Sequence, residues 1–110
     1  MDANLLSVVI ENGETVSSAL KLPATYYPAA LMLPAITTST AIIFHVSMDG
    51  VNYYPLHDGA GAAYSVTINN TVANAIALDP TKFYPWEYIK VAVADAQSGD
   101  KTIGIIVRTY

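Results

Sequence analysis

The chain has 110 residues, a net charge of −4 and no cysteine, and 53% of its residues are hydrophobic against 13% charged. The missing cysteine excludes disulfides and Cys-based metal sites. The five cations are scattered along the chain, and no apolar run reaches the roughly 18 residues that span a bilayer, so neither nucleic-acid binding nor membrane insertion is expected.

Nine runs rich in β-branched and aromatic residues, separated by turn residues, each predict a β-strand. Their spacing of roughly 8–12 residues is typical of antiparallel sandwiches, and the apolar repeat of a long helix is missing. We therefore predict an all-β fold: a single β-sandwich domain over residues 1–110, jelly-roll-like, with eight or nine short antiparallel strands. An open barrel is the competing architecture. The runs cover residues 5–10, 16–22, 29–36, 41–48, 51–56, 63–68, 75–78, 88–93 and 102–109.

The segment 41–56 carries the clearest strand pattern. Phe44, Val46 and Met48 recur at every second position, which indicates a strand with one buried face. Asp49 and Gly50 interrupt this run before an extended pattern begins again. Asp-Gly between two such runs predicts a β-hairpin with a two-residue type I′ turn, in which both central residues have positive φ.

Three further positions predict local structure. Pro34 lies inside the third run and makes that segment an edge strand or a bulge, because proline cannot donate a ladder hydrogen bond. Asp79 followed by Pro80 predicts a single helical turn, with Asp as the N-cap and Pro at the first helical position. Residues 98–100, Ser-Gly-Asp, predict a hairpin turn between the last two strands.

Few side chains offer catalytic or metal-binding chemistry. His45 and His57 are the two histidines, and His57 beside Asp58 could orient an imidazole or supply two metal ligands. However, adjacent residues of an extended chain point to opposite sides, and no nucleophile-elbow or calcium-loop spacing accompanies them. We expect no catalytic residue, no metal and no cofactor, and hence no enzyme. The acids at turns, which bond nearby backbone amides, are Asp49, Asp58, Asp79, Asp95 and Asp100.

Aromatic residues are the candidate interaction residues. Tyr occurs eight times, and Tyr and Trp combine a large apolar ring with a polar tip, which suits core packing, protein interfaces and sugar stacking. Three local groups stand out: the tyrosine pairs at residues 26–27 and 53–54, and the Trp-centred cluster at residues 84–88. The predicted interface residues are Tyr26, Tyr27, Tyr84, Trp86 and Tyr88.

Two segments resemble patterns of small bacteriophage virion proteins. Residues 40–56 follow the pattern T-x-x-x-F-x-V-S-x-D-G-x-x-Y-x-P-L, and residues 79–91 follow D-P-x-x-F-x-x-x-x-x-I-K-V. The two elements have the order and spacing found in those proteins, and together they cover about a third of the chain.

The resemblance implies a compact β-sandwich that serves as a head decoration or cement protein, or as a small head or tail accessory subunit. Its partners would then be the major capsid protein or other virion proteins. The protein would be found in the virion after synthesis in the host cytoplasm. The resemblance transfers no catalytic residue.

The low charge content predicts self-association. A domain of this size cannot hide so much apolar material alone, so we expect a homo-oligomer, with a trimer favoured. A surface rich in Ala, Thr and Ser would need no partner and is the alternative. The competing function is a carbohydrate-binding module for host-surface glycans, with the aromatic residues as its stacking platform.

Overall fold

The computed structural model describes residues 3–36, 41–57, 59–69 and 71–109, and these contain nine strands and one turn of 3₁₀ helix. Each strand overlaps one of the nine predicted runs, and several are shorter than predicted. The strands are β1 (Ala3–Ile10), β2 (Leu20–Lys21), β3 (Tyr26–Leu33), β4 (Ala41–Ser47), β5 (Tyr54–Pro55), β6 (Ser65–Thr67), β7 (Asn74–Ala77), β8 (Tyr88–Ala92) and β9 (Lys101–Thr109), with the 3₁₀ turn at Pro80–Lys82.

The strands form two antiparallel sheets. The four-stranded sheet has the order β1-β9-β3-β7, and the five-stranded sheet has the order β2-β8-β4, with β5 and β6 both paired to β4. Because β5 and β6 follow the same edge of β4 in one direction, they act as a single interrupted strand. Counted in this way, the two sheets have the strand orders 1-8-3-6 and 2-7-4-5 of a jelly roll, which confirms the predicted β-sandwich.

The core lies between the two sheets and follows the period-two pattern of the sequence. Ile42, Phe44 and Val46 of β4 are at most 1% exposed, and they face buried side chains of the four-stranded sheet. Phe44 packs edge-on against Phe83 at a centroid distance of 5.0 Å. Met48 departs from the pattern, since it is 54% exposed just beyond the end of β4.

The hairpin predicted around residues 49–50 has a different loop from the predicted two-residue turn. β4 and β5 do pair antiparallel, but residues 48–53 separate them. Gly50 has a φ of +75°, whereas Asp49 does not enter the positive region. The Asp49 carboxylate instead accepts hydrogen bonds from the backbone N–H groups of Val51 and Asn52, each 2.8 Å long. A side chain that bonds the following backbone in this way stabilises a wider loop.

Two other local predictions are wrong and one is confirmed. Pro34 lies beyond the end of β3, which is an interior strand between β9 and β7; a register shift occurs between Pro28 and Ala30 instead. Residues 98–100 form no hairpin, because β8 and β9 belong to different sheets. The helical turn at Pro80–Lys82 is present, and its N-cap Asp79 accepts from Thr81 N.

Two adjacent serines join the sheets at one edge. Ser17 bonds β8 in both directions: its N–H donates to Val91 O at 2.8 Å, and its Oγ accepts from Val91 N at 2.9 Å. Ser18 bonds β1 in the same manner, with Ser18 N donating to Val9 O and Ser18 Oγ accepting from Val9 N. In the part of the chain that the structure describes, no helix is long and apolar enough to cross a membrane.

Candidate functional site

Four of the five predicted interface residues gather at one end of the sandwich. Tyr26, Tyr84 and Trp86 line one cleft, and Tyr27 meets Tyr84 edge-on with ring centroids 5.4 Å apart. Tyr88 lies elsewhere: it pairs with Lys21 and Ser47 on the outer side of the five-stranded sheet. The local sequence cluster 84–88 is therefore divided between two surfaces.

We call the first of these surfaces the aromatic cleft. Its volume is about 240 Å³, and it opens between the segment that leads into β3 and the segment that leads into β8. Tyr26 and Trp86 are half-buried against the core, whereas Tyr84 is 46% exposed. The lining is formed by residues 22–26, residues 84–87 and Met48.

Both walls of the aromatic cleft are fixed by local structure. On one side, the 3₁₀ turn and the buried Phe83 anchor the aromatic segment, and Trp86 N donates to Phe83 O at 3.1 Å. The Thr81 side chain and N–H bond the cap carboxylate and lower the pKa of Asp79 below its usual value. The ionised cap therefore holds this wall in place.

The other wall carries backbone strain. Tyr26 N donates to Pro23 O, which closes a turn, and within that turn Thr25 has a φ of +69°. A β-branched residue in this region is a steric outlier that costs about 1–3 kcal/mol, and glycine or asparagine is the usual choice. The strained residue lies at the rim of the aromatic cleft.

A second surface, which the sequence analysis missed, is the outer side of the four-stranded sheet. Two described rows of paired residues cross all four strands there, and neither row contains a charged residue. We call these rows the apolar face. They are Leu5, Ile106, Ala30 and Ala77, and Ser7, Gly104, Met32 and Ala75.

The apolar face is exposed at its edge strand β1 and again on the interior strand β3. Leu5 is 62% exposed and Met32 is 48% exposed. A Cβ atom on Gly104 would lie 3.1 Å from Leu5 Cδ1 and 3.2 Å from Met32 Cβ, so both side chains cover the glycine backbone. The sequence did contain a signal for this surface. In β1 and β3 the outward-facing residues, which alternate with the buried ones, are also uncharged and mostly apolar.

The outer side of the five-stranded sheet has a different character. Lys21, His45 and Lys90 lie on this surface, together with the rings of Tyr53 and Tyr88. We call this surface the cationic face. Lys90 Nζ lies 4.3 Å from the Tyr53 ring centroid, and Lys21 Nζ lies 5.9 Å from that of Tyr88, so each ammonium is placed above a ring. Burial, and then the charge of Lys90, lower the pKa of His45.

The histidines and acids do not form a shared site among the described residues. His57 Nδ1 lies 3.1 Å from Pro55 O, whereas His45 pairs with Lys90 in the sheet. Within the described ranges, no three His, Cys, Asp or Glu side chains converge as a metal-binding group. The predicted pairing of His57 with Asp58 lies partly outside the described residues.

Comparison with known proteins gives a fold and no family. No protein-family model matches the chain, and no curated protein matches it. Among solved structures, the SPBc2 prophage-derived protein YomS is similar, with 15% identity, a TM-score of 0.53, and coverage of 97% of this chain and 95% of that one. At this identity the likeness shows a shared β-sandwich fold.

Looser similarities extend to other β-proteins. One is a Bacillus endospore appendage protein from disulfide-linked pili, with 12% identity, a TM-score of 0.45, and coverage of 98% of this chain and 87% of that one. Another is a CBM32 module of a Clostridium perfringens family 31 glycoside hydrolase, with 11% identity, a TM-score of 0.40, and coverage of 86% and 71%. These two superpose too loosely to carry an argument.

Proposed function

We propose that this protein is a non-enzymatic bacteriophage virion structural protein, a capsid decoration or cement subunit that stabilises the shell by bridging neighbouring capsid subunits. The observation that carries the proposal is the apolar face, two uncharged rows of a sheet surface on which Leu5 of the edge strand and Met32 of an interior strand are exposed. Two further observations support it: the phage-like segments in the sequence, and a fold shared with a prophage-derived protein.

The size of the apolar face suits a weak contact that is repeated many times. Each of the four strands occupies about 4.8 Å and each of the two rows about 7 Å, so the apolar face covers roughly 270 Å². At about 25 cal/mol per Å², burial of that area contributes roughly 7 kcal/mol before association costs are subtracted. Such a contact is weak alone, and its repetition around a shell raises the overall affinity through avidity.

In this proposal the major capsid protein, or another virion protein, covers the apolar face. The subunit acts by clamping: area buried against two neighbours opposes their separation, and no bond is made or broken. The protein is synthesised in the host cytoplasm and becomes part of the virion. A tail or adaptor accessory subunit would use the same surface against a different virion protein.

A second candidate function rests on the aromatic cleft. Tyr84 and Trp86 offer rings, and the neighbouring Glu87 offers a carboxylate that can accept hydrogen bonds from sugar hydroxyls. A cleft of about 240 Å³ suits one or two sugar rings. This arrangement favours carbohydrate binding, as in a module that recognises host-surface glycans.

The test uses shells of the encoding phage, prepared from a mutant that lacks this protein. Wild-type protein should co-sediment with these shells and raise the temperature at which they release their contents. The double substitution Leu5→Lys and Met32→Lys should abolish both effects, because two charges would be buried in an apolar contact. Ser65→Lys with Thr67→Lys is the matched control on the other sheet, where the exposed strand β6 lies, and it should bind like the wild type.

Two outcomes would overturn the proposal. One is shell binding that the lysine pair on the apolar face leaves unchanged. The other is no shell binding by the wild type, together with retention on an immobilised glycan array that Trp86→Ala or Tyr84→Ala removes. The second outcome would establish the carbohydrate-binding function instead. Unfolding curves of each variant show that loss of binding does not reflect loss of the fold.

A further inference from the structure

Among the described residues, one end of the sandwich carries four carboxylates and a single cation, Lys101. The turn after β1 and the segment before β9 bring four carboxylates to the same end of the molecule, and we call this end the acidic tip. Asn12 joins the two segments: its N–H donates to Asp100 Oδ1 at 2.8 Å, and its Oδ1 accepts from Gly99 N at 2.8 Å. Gly13 N donates to Gln97 O at 2.9 Å. The four acids are Glu11, Glu14, Asp95 and Asp100, all exposed.

The cationic face is the complement of this tip. Lys21 and Lys90 place two ammonium groups on one sheet surface, each held above a tyrosine ring. The Tyr53 hydroxyl beneath Lys90 is buried, and no described residue bonds it. Asp49 lies near Tyr53 at the edge of the face, and its oxygens are already bonded to its own loop. The ammonium groups therefore remain available to carboxylates from outside.

The two surfaces cannot meet within one molecule. Lys90 lies in the middle of β8, and Asp95 follows the end of that strand, with the rest of the strand and a turn between them. An apolar hollow of about 150 Å³ lies along this path, lined by Ala41, Ile43 and residues 92–94. The hollow adjoins the cationic face and can receive small side chains of a docked segment, such as the exposed Ala96.

We propose that the acidic tip of one copy of this chain docks on the cationic face of the next copy. The contact is heterologous: each copy inserts its own acidic tip into one neighbour and binds the acidic tip of the other neighbour on its cationic face. The copies form a closed ring if the rotation between successive copies divides a full turn. A ring of three would be the trimer predicted from composition. This inference rests on the proposed structural function and names the contact between copies, while the apolar face remains free for the shell.

The first test is light scattering on a size-exclusion column across a concentration series. Oligomers of the wild type should persist at about 0.01 M salt, where the screening length is about 30 Å, and dissociate at about 1 M, where it is about 3 Å. Two charge-reversal variants identify the surfaces. The face variant is Lys21→Glu with Lys90→Glu. The tip variant is Glu11→Lys with Glu14→Lys and Asp95→Lys, which changes the summed charge of the four tip positions from −4 to +2.

Each variant alone should lose at least about tenfold in association constant, because close charge pairs become like-charged. An equimolar mixture should associate again, since the tip of each variant now opposes the charge on the face of the other. Each variant can bind only the other variant, so the two must alternate around the assembly. The mixed assemblies should therefore have an even number of copies. Lys82→Glu reverses a charge on the 3₁₀ turn, away from both surfaces, and should leave association unchanged.

Three results would overturn the inference: a wild-type monomer at low salt, oligomers that neither variant weakens, or variants that are dissociated and do not recover when mixed. The last result would show that the acidic tip and the cationic face do not contact each other in the oligomer. The shell-binding assay keeps this test separate from that of the proposed function. A monomer that binds shells through the apolar face would reject only the ring, and a ring that ignores shells would reject only the decoration function.

Discussion

The two outer faces of this sandwich differ far more than its two inner faces. Towards the core, β4 and β9 both present Ile, Val or Phe at every second position, and these side chains are fully buried. Towards solvent, the four-stranded sheet presents the uncharged rows of the apolar face, with Arg108 beyond one end of them. The five-stranded sheet presents Lys21, His45 and Lys90 with two tyrosines. The inner residues specify the fold, and the outer residues specify what each face can contact.

The contrast also separates two kinds of interaction. Burial of the apolar face gives a free energy that follows area, carries little directional information and is not screened by salt. The cationic face gives a contact that depends on salt and on the position of each charge. In the function that we propose, the apolar face would hold the shell, and the cationic face would set the orientation of each subunit beside its neighbours.

The largest expected effect comes from removing the core that both faces share. Phe44 is fully buried and contacts Phe83 and Tyr64. Phe44→Ala should lower the free energy of unfolding by about 3–5 kcal/mol, since it removes a buried ring and leaves a cavity. Urea unfolding measures this change. Tyr54→Ala removes a ring that is 64% exposed on the same sheet, and it should stay within about 0.5 kcal/mol of the wild type.

Next in size is the serine pair that joins the sheets. Ser17→Ala should cost about 1–3 kcal/mol, because the N–H of Val91 loses its acceptor at a buried position. Ser18→Ala removes the equivalent bond to Val9 on the exposed side, where water can replace it, and it should cost less than about 1 kcal/mol. Equal losses for the two variants would mean that the two sheets are joined equally tightly at this edge.

A smaller, pH-dependent effect is expected at the loop beside the cationic face. Hydrogen bonds from the N–H groups of Asn52 and Val51, from the Asn52 amide and from the Ser47 hydroxyl hold the pKa of Asp49 well below its usual value of 3.8. Because the folded state favours the carboxylate, this stabilisation is complete above pH 3.8 and is lost as the pH falls through the lower folded-state value.

Acid unfolding of wild type and Asp49→Asn tests this expectation. In the wild type, the free energy of unfolding should fall as the pH drops below 3.8, and in the variant this part of the decrease should be missing. The free energy of unfolding of the variant should already be reduced at neutral pH. If the free energy of unfolding falls equally with pH in both proteins, the Asp49 carboxylate contributes nothing to the pH dependence. In that case the wide loop would be held by Gly50 and its packing on Tyr88.

The smallest effect on stability is expected on the apolar face. Leu5→Lys and Met32→Lys should each change the free energy of unfolding of the isolated subunit by no more than about 0.5 kcal/mol, since both side chains are exposed at the surface. Thermal unfolding of the free protein measures this. A large loss would indicate that Leu5 and Met32 hold the sheet together over Gly104 and are not reserved for a neighbour.

Much of the fold follows from local patterns in the sequence. Alternation in β4 and β9 identified their buried sides, and the Asp79–Pro80 pair located the 3₁₀ turn, because both signals act over a few residues. The position of a strand within its sheet is not local. Pro34 could not reveal that β3 is an interior strand, and residues 98–100 could not reveal that β8 and β9 lie in different sheets.

The candidate surfaces were predicted only in part. The sequence analysis named Tyr26, Tyr27, Tyr84 and Trp86 as interface residues without predicting the aromatic cleft, and their role as interface residues stays a prediction. Tyr88 lies on the cationic face, away from the other four, because β8 begins there and alternation turns its ring outwards, next to the inward Ile89. Its role as an interface residue also stays a prediction. The apolar face needed strand order as well as pattern, since Leu5, Gly104 and Met32 come together only through pairing of β1, β9 and β3.

The most direct test of the apolar face as the shell contact uses two methionines as matched probes. Met32 on the apolar face is 48% exposed, and Met48 at the aromatic cleft is 54% exposed, so peroxide should oxidise both at similar rates in the free protein. Mass spectrometry of shell-bound protein should then show Met32 protected and Met48 as reactive as before. Met32 oxidised equally fast on the shell and in solution would contradict this account.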